Sequence, residues 1–210
     1  MSENVNFILQ VFIAVGTVGA VIVALFKDYL KPRPKLSMGI SNPKGYIANR
    51  QSNSDTNREP ARYYHLRVEN HRRWASATSV QVYLTHIQKM GSDSKYKTVW
   101  LGELPMRWRY QETHPIQRVI GPAIECDLCS VVRGKFVQLL PLIYPDEFQH
   151  QWEPKVELVL TLQARSVEKD SSELYVGVSW DGEWEDGEVE MSRHMIVEKV
   201  VVREDGTVDA

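Results

Sequence analysis

FILQVFIAVGTVGAVIVALF, residues Phe7–Phe26, is the stretch of this 210-residue chain that decides its architecture. It holds no charged residue, and its only polar side chains are Gln10 and Thr17. At ~1.5 Å per residue, about 20 helical residues span the ~30 Å hydrocarbon layer of a bilayer. A core helix of a soluble protein keeps a polar face, whereas this segment is apolar all round. The sequence therefore predicts one transmembrane helix within residues 1–30.

A cleaved signal peptide is the main alternative for this segment. The residues before the apolar run, MSEN, carry Glu3 and no basic residue. The run is also longer than the ~7–15 apolar residues of a signal peptide, and no small-x-small cleavage site precedes the charges that follow it. These three features favour a retained membrane helix.

The flanks of the helix predict its orientation. Lys27, Lys31, Arg33 and Lys35 follow the apolar run, and no basic residue precedes it. The positive-inside rule then places the C-terminal side in the cytoplasm. The chain has only two cysteines, fewer than exported domains of this size often carry. We expect a single-pass protein of the bacterial inner (cytoplasmic) membrane with a cytoplasmic C-terminal domain.

The rest of the chain is long enough for one soluble domain. Residues 31–35 are predicted to be a stiff linker, because Pro32 and Pro34 each remove a backbone donor and restrict the preceding residue. Residues 36–203 form the domain, with enough length to bury a core, and residues 204–210 form a tail.

Short β-type segments dominate the predicted domain. The polar stretch Asn42–Pro60 is predicted to be a long mobile loop. The strand candidates are Lys35–Ser41, Tyr63–Glu69, Ser79–Gln88, Val99–Leu101, Arg107–Tyr110, Val131–Leu140, Val156–Arg165, Leu174–Trp180 and His194–Val202. No amphipathic helix longer than about two turns is predicted among them. The fold class is mainly β: one N-terminal transmembrane helix followed by a single antiparallel β-sandwich, immunoglobulin-like in the broad sense.

Charge is distributed unevenly along the chain. Residues 1–35 carry a net charge of +2, residues 36–120 of +7 and residues 121–210 of −11. The two halves of a sandwich interleave, so these charges are expected mainly to pair with one another. The alternative is that basic loops near the tether contact anionic lipid head groups, at ~1 kcal/mol per basic residue.

Three segments carry a resemblance. Leu66–Ile87, Ile120–Leu128 and Val178–Val200 are similar to a group of uncharacterised bacterial single-span membrane proteins, and the W-D-G-x-W motif followed by M-x-x-H is the most distinctive part. The resemblance implies a membrane helix before a β-sandwich. It implies no activity and no functional residue.

Trp180, Asp181 and Trp184 form a candidate binding platform, two indoles around an Asp-Gly turn. Tryptophans that cap the core at a strand end explain the same residues without a ligand, and we favour that interpretation. The acidic residues that follow suggest calcium, but an EF-hand loop starting at Asp181 would need glycine at Asp186 and glutamate at Ser192. Only a looser metal site remains open.

Cys126 and Cys129 have the spacing of half a zinc site or of a redox pair. The sequence supplies no second CxxC or HxxxH and no βαβ unit, so two reduced thiols in or near a strand are favoured. A zinc site completed by separated histidines such as His114 or His150 stays open. No metal or cofactor is predicted.

No motif for catalysis or nucleic-acid binding is found. The sequence lacks G-x-S-x-G, H-E-x-x-H and a glycine-rich phosphate loop. His194 is expected to be a structural histidine at the start of an apolar strand. The cluster His71–Trp74 is short for a nucleic-acid site and is interpreted as a charged, solvated turn between strands.

The membrane helix carries one further pattern. Gly16, Ala20 and Ala24 repeat every four residues, the small-xxx-small arrangement that lets helices approach closely. This stripe is a candidate for packing against a second copy or a partner helix.

The function hypothesis is a non-enzymatic, membrane-anchored interaction or sensing module. Its expected partners are membrane lipids around the helix, an unknown protein, and a second copy through the helix; no nucleic acid is expected. An accessory role in a bacterial stress or defence system is a hypothesis that no residue pattern supports. The alternative is an enzyme, or a metal-dependent activity, built from residues scattered over the sandwich.

Overall fold

The computed structural model describes residues 2–30, 33–51, 58–72, 74–109, 118–203 and 208–209. Contacts divide the chain into two compact units, Met1–Arg33 and Pro34–Ala210. The division falls inside the predicted linker 31–35, of which residues 31 and 32 lie outside the described part.

The first unit is a single helix, α1, Ser2–Leu30. Within the described residues, one helix has the length and composition to cross a membrane, and its apolar window is Phe7–Phe26. A side chain built onto Gly16 would meet no atom within 4 Å, so the stripe that Gly16 shares with Ala20 and Ala24 is open along the helix. The predicted N-terminal helix is confirmed.

The second unit consists almost entirely of antiparallel strands. In chain order they are β1 Leu36–Ile40, β2 Tyr46–Gln51, β3 Arg58–Asn70, β4 Ala77–Met90, β5 Tyr96–Pro105, β6 Arg118–Ile120, β7 Ala123–Val132, β8 Phe136–Leu139, β9 Gln151–Trp152, β10 Val156–Arg165, β11 Leu174–Trp180, β12 Met195–Lys199, β13 Val201–Val202 and β14 Val208–Asp209. One short helix, α2 Glu188–Met191, lies between β11 and β12.

Two six-stranded sheets form a β-sandwich. Sheet I has the order β1-β3-β7-β8-β9, with β2 also paired to β3, and sheet II has the order β12-β11-β10-β4-β5, with β6 also paired to β4. We name the ends of the sandwich by the chain: Leu36 opens β1 at the tether end, opposite Asn70. The distal end is the opposite one, where β7 turns into β8 and β10 begins.

The core lies between the sheets and is apolar. It includes Tyr64, Leu66, Leu84, Trp108 and Leu160, which are all buried, and both cysteines belong to it. Residue pairing between β3 and β7 shifts between Tyr64 and His65, so that Cys126 faces Leu66 and Cys129 faces Tyr64. This bulge turns both thiols inward, although three positions along a regular strand would place them on opposite faces.

The sandwich is confirmed, and several predicted segments need correction. The stretch Asn42–Pro60 is not one long loop, since it contains β2 and the start of β3; residues 52–57 lie outside the described part. The predicted strand Val131–Leu140 is a hairpin, because residues 133–135 form a turn in which Gly134 has φ +63°. That left-handed conformation ends β7 and starts β8.

Two further strand predictions were partly wrong. His194 precedes β12, and the predicted strand that it opened is divided into β12 and β13. Arg107–Tyr110 forms no strand in its described residues, where Trp108 makes an isolated bridge to Cys126; Tyr110 lies outside them. Each remaining candidate overlaps a strand of the structure, and the bounds of β10 and β11 agree with the prediction.

Candidate functional site at the distal end

The two tryptophans of the predicted platform have different environments. Trp180 is 1% exposed and belongs to the core, and its Nε1 donates to the carbonyl oxygen of Glu183 at 2.8 Å. Trp184 is half-buried against the core, and its Nε1 donates to Asp186 Oδ1 at 2.8 Å. Core capping is confirmed for Trp180. Ligand binding by Trp180, Asp181 and Trp184 stays a prediction, in which Trp180 can act only from inside the core.

Asp181 joins this turn to His194. His194 Nδ1 and Asp181 Oδ2 share a hydrogen bond of 2.8 Å, and Asp181 Oδ1 accepts the backbone N–H of Glu183 at 2.9 Å. Burial acts to raise the pKa of Asp181, but these hydrogen bonds outweigh it and hold that pKa below its ordinary value. Ser179, Asp181 and His194 line one concavity of about 330 Å³. The expected structural histidine thus also belongs to a polar surface group.

A buried arginine holds the acidic loop that follows. Arg62 on β3 is fully buried, and its Nη2 donates to the carbonyl oxygens of Asp186 at 2.9 Å, Glu185 at 3.3 Å and Gly187 at 3.4 Å. Its Nη1 donates to the carbonyl oxygen of Lys44 at 3.0 Å. The guanidinium also lies 6.0 Å from the ring centre of Trp184. Through these contacts one cation ties a loop of sheet II to sheet I.

A further concave site at the distal end is a cavity of about 490 Å³, which we call the lysine cavity. Its residues come from β4, the β7–β8 turn and hairpin, β9 and the turn before β10. Those that carry its chemistry are Lys89, Lys135, Gln149, Gln151, Trp152, Glu153 and Lys155. The lining includes three lysines and one glutamate, so it is net positive and suits an anionic group. Its volume is within the range of small-molecule sites.

Trp152 forms the apolar wall of the lysine cavity. It is buried, the Lys89 ammonium lies 5.4 Å from its ring centre, and its Nε1 has no hydrogen-bond partner among the described residues. Lys135 Nζ contacts Glu59 Oε1 at 2.6 Å. Lys155 has φ +64°, an uncommon conformation for a non-glycine residue that is found more often at functional turns.

A charged network lies on the outer face of sheet I, midway along β3. His65 Nε2 is 3.4 Å from Asp127 Oδ1, and Glu125 accepts hydrogen bonds from Ser41 and Arg109. Burial raises the pKa of Asp127 to about 6, against the opposing effect of the nearby arginines. Burial lowers the pKa of His65 to about 4, and Arg109 adds to this shift.

The remaining candidates give no second site. Cys126 and Cys129 are buried free thiols, and burial raises the pKa of both. Within the described residues no group of three or more His, Cys, Asp and Glu side chains is placed to hold a metal ion. His114 lies outside those residues, and His150 contacts the Tyr144 ring at 4.6 Å between ring centres.

The basic and acidic halves of the chain interleave. Arg109 pairs with Glu125, Arg165 with Glu103 and Arg62 with the loop at Asp186. Of these contacts, the ion pair between Arg109 and Glu125 joins the basic part of the chain to the acidic part as expected.

Sequence reasoning missed the lysine cavity. Lys89, Lys135 and Lys155 are far apart in the chain, and each looks like an ordinary solvated lysine near a turn. The signal that was available is Trp152 between two glutamines and two charged residues, in a segment with little other apolar content.

Comparison with known proteins adds no family to this description. No protein-family model matches the sequence, and no curated protein matches it at a significant level. Of the resemblance inferred from Leu66–Ile87, Ile120–Leu128 and Val178–Val200, an apolar N-terminal helix followed by an antiparallel β-sandwich is confirmed. The bacterial origin and the immunoglobulin-like classification stay predictions.

Proposed function

We propose that this protein is a membrane-anchored, non-enzymatic binding module that recognises an anionic group in the lysine cavity. The anionic group is a phosphate or carboxylate of a small ligand or of an acidic segment in a partner protein. Both sources present the same chemistry to the three lysines.

The membrane part of the proposal is supported by composition. Phe7–Phe26 is apolar enough to span a bilayer, and the basic residues Lys27, Lys31, Arg33 and Lys35 all follow it. On this basis the helix spans the cytoplasmic membrane of a bacterium, and the sandwich faces the cytoplasm.

The observation that carries the binding role is the lysine cavity itself. It brings Lys89, Lys135 and Lys155 from three separate parts of the chain around a buried indole. Lys135 is already paired with Glu59, so Lys89 and Lys155 supply the positive charge that an anion in the cavity would balance. Strand β9 consists of Gln151 and Trp152 only, and the buried Trp152 gives the cavity a rigid apolar wall.

The test places a photo-cross-linking amino acid at Gln151, an exposed residue of the cavity, in the full-length protein in its own membranes. We expect a cross-linked adduct whose yield falls on adding salt. Replacing two of the three lysines, in the double variant Lys89→Gln with Lys155→Gln, should lower the affinity for the cross-linked partner by roughly fivefold to thirtyfold. Each charge contact contributes ~0.5–1 kcal/mol.

The matched control removes two exposed lysines that belong neither to the lysine cavity nor to the tether end, Lys44→Gln with Lys199→Gln. The adduct should keep its yield in this variant. An adduct that is equally strong in the cavity variant, or equally weakened in the control, contradicts recognition by the lysine cavity.

One observation favours the enzymatic alternative. The hydrogen bond between Asp181 and the Nδ1 of His194 leaves Nε2 of the ring available for proton transfer, and Ser179 lines the same concavity. If these residues form a hydrolytic site, the full-length protein should cleave p-nitrophenyl acetate above the buffer rate, and His194→Gln should abolish that cleavage. His86→Gln, on the outer face of sheet II, is the control. Cleavage at the buffer rate supports the non-enzymatic role.

A further inference from the structure

Trp74 is the most conspicuous apolar side chain on the surface of the sandwich. It lies in the loop between β3 and β4 and is 74% exposed. An exposed indole offers a large amphipathic ring for a contact.

The loop around Trp74 is held in place by Asn70. The Asn70 side chain is buried, donates through Nδ2 to the carbonyl oxygen of Ala75 at 2.5 Å, and accepts the backbone N–H of Arg72 at 3.1 Å. The N–H of Ala75 in turn donates to the carbonyl oxygen of Arg72 at 3.0 Å. Hydrogen bonds therefore fix the backbone at Arg72 and Ala75, the residues on either side of this exposed position.

The same loop is bonded to the start of the tether. The N–H of Lys35 donates to Asn70 Oδ1 at 3.2 Å, and the N–H of His71 donates to the carbonyl oxygen of Lys35 at 3.0 Å. Lys35 follows Leu30, the last residue of α1, by five positions. Five residues of fully extended chain cover at most ~18 Å. The loop is thus bonded to a residue only five positions along the chain from the end of the apolar helix.

Two other apolar side chains are exposed at the same end. Val119 on β6 is 66% exposed and Val167 is 76% exposed. The N–H of Val167 donates to the carbonyl oxygen of Thr78 at 3.3 Å, and β6 pairs with the start of β4, so both lie on segments beside the Trp74 loop. We call Trp74, Val119 and Val167 the tether-end rim.

The exposed charged residues around the rim include two basic residues and one acidic residue. Arg72 and Lys169 are exposed, as is the acidic Asp170. The other acid, Glu168, is half-buried and bonded to Thr78 through both its oxygens.

We propose that the tether-end rim is a lipid-contact surface, in which Trp74 inserts at the head-group level and the nearby basic residues contact anionic phosphates. Tryptophan is enriched at membrane interfaces because its ring is amphipathic, and anionic lipids attract basic residues near the membrane surface. This inference rests on the membrane anchoring proposed above, and it is independent of the lysine cavity.

Fluorescence of the full-length protein in vesicles tests this contact. The protein is reconstituted in vesicles of phosphatidylcholine and phosphatidylglycerol, with and without brominated acyl chains. The apolar helix holds no tryptophan, so subtracting the emission of Trp74→Phe from that of the wild type isolates the signal of Trp74. We expect that signal to fall by at least half with brominated lipid and to resist iodide. The signal of Trp184, isolated in the same way with Trp184→Phe, is the control and should be insensitive to brominated lipid.

Each other outcome overturns the proposal in a distinct way. A Trp74 signal quenched by iodide and not by brominated lipid places the rim in water. A signal protected from both quenchers indicates a protein contact. Extraction of the protein from vesicles by alkaline carbonate contradicts the membrane anchor and with it the lipid contact, whereas anion recognition by the lysine cavity has its own test. Retention of the protein with an unquenched Trp74 contradicts the lipid contact alone.

Discussion

Strand β3 carries a buried polar side chain near each end of the sandwich, and the two use different chemistry. Arg62 and Asn70 lie on the same face of the strand, eight positions or about 27 Å apart at ~3.4 Å per residue. Asn70 holds the tether-end loop with one donor and two accepted hydrogen bonds. Arg62 holds the distal loop with a cation that donates to carbonyl oxygens of four residues.

The difference shows what each loop requires. A neutral amide can both donate and accept, so it satisfies the mixed backbone groups of the short turn at Arg72 and Ala75. A guanidinium only donates, and burying it is costly unless acceptors surround it. The acidic loop at Glu185–Gly187 supplies those acceptors together with negative charge nearby. We infer that the distal loop depends on charge and the tether-end loop on hydrogen-bond geometry.

The largest difference in stability is expected between two variants that each replace one tryptophan by alanine, one at each end of the sandwich. Trp180→Ala removes a buried indole from the core and should lower the free energy of unfolding by ~3–5 kcal/mol. Trp74→Ala removes an exposed indole and should change it by less than ~0.5 kcal/mol. Thermal unfolding of the full-length protein, followed by circular dichroism, measures both. Equal effects would contradict the burial difference.

Removing the charge at the distal end is expected to come next. Arg62→Met should cost about 3 kcal/mol, because several carbonyl oxygens lose a charged donor in a buried place. A change of that size lowers the melting temperature of a protein of this length by roughly 6–12 °C. Arg62→Lys keeps the charge without the planar set of guanidinium donors, so its free energy of unfolding should lie between those of the wild type and Arg62→Met. A fully stable Arg62→Met would show that the distal loop does not need the cation.

A smaller loss is expected at the tether end. Asn70→Leu should cost about 2 kcal/mol, since the loop loses three hydrogen bonds and part of it can be hydrated instead. Asn70→Asp keeps the two accepted bonds and should lose about half as much. Hydrogen exchange at the amides of Lys35 and Arg72 reports the local effect. Unchanged protection in Asn70→Leu would contradict the role of the amide.

The smallest effect concerns pH and the network midway between the two ends. In the unfolded chain His65 titrates near 6.5 and Asp127 near 3.8, whereas in the folded protein their pKa values are about 4 and about 6. Between about pH 6 and pH 4 the pair therefore holds one proton in both states, and its contribution to stability does not change with pH.

Single substitutions should expose the two opposing contributions. In Asp127→Asn, His65 is protonated in the unfolded chain and neutral in the folded protein between about pH 6.5 and about pH 4. Stability should therefore fall as the pH drops through this range. In His65→Gln, Asp127 is protonated in the folded protein and ionised in the unfolded chain between about pH 6 and about pH 4. Stability should therefore rise as the pH drops through this range. Urea denaturation across this range measures both slopes. Parallel profiles for the two variants would contradict the assignment.

Strands that bury at least one face can be predicted from the sequence, because their apolar residues form a pattern. Strands with two exposed faces carry no such pattern. β10 and β11 alternate apolar and polar residues or run apolar throughout, and their bounds are predicted. β2 was missed because both its faces are largely exposed, so Tyr46–Gln51 looks like a polar loop; it is a strand through its backbone pairing with β3. The β7–β8 turn was missed because Gly134 is its only strong turn residue.

The candidate site could be predicted in its parts and not as a whole. The tryptophan at position 180 was expected to cap the core from its place after an apolar strand. The role of Arg62 depends on carbonyl groups more than a hundred residues away, and backbone groups leave no trace in a side-chain pattern. The lysine cavity likewise depends on β4, the β7–β8 turn and the turn before β10, which meet only in the folded sandwich.

The bulge in β7 has a practical consequence for mapping the protein in a membrane. Both cysteines of the chain point inward, and burial keeps their thiols protonated, so maleimide and methanethiosulfonate reagents should not reach them in the native state. The wild-type chain then serves as an unreactive background. A single cysteine introduced beside Trp74 or beside Lys155 would be the one labelled position, and its accessibility to a membrane-impermeant reagent would report which end of the sandwich faces water and on which side of the bilayer it lies.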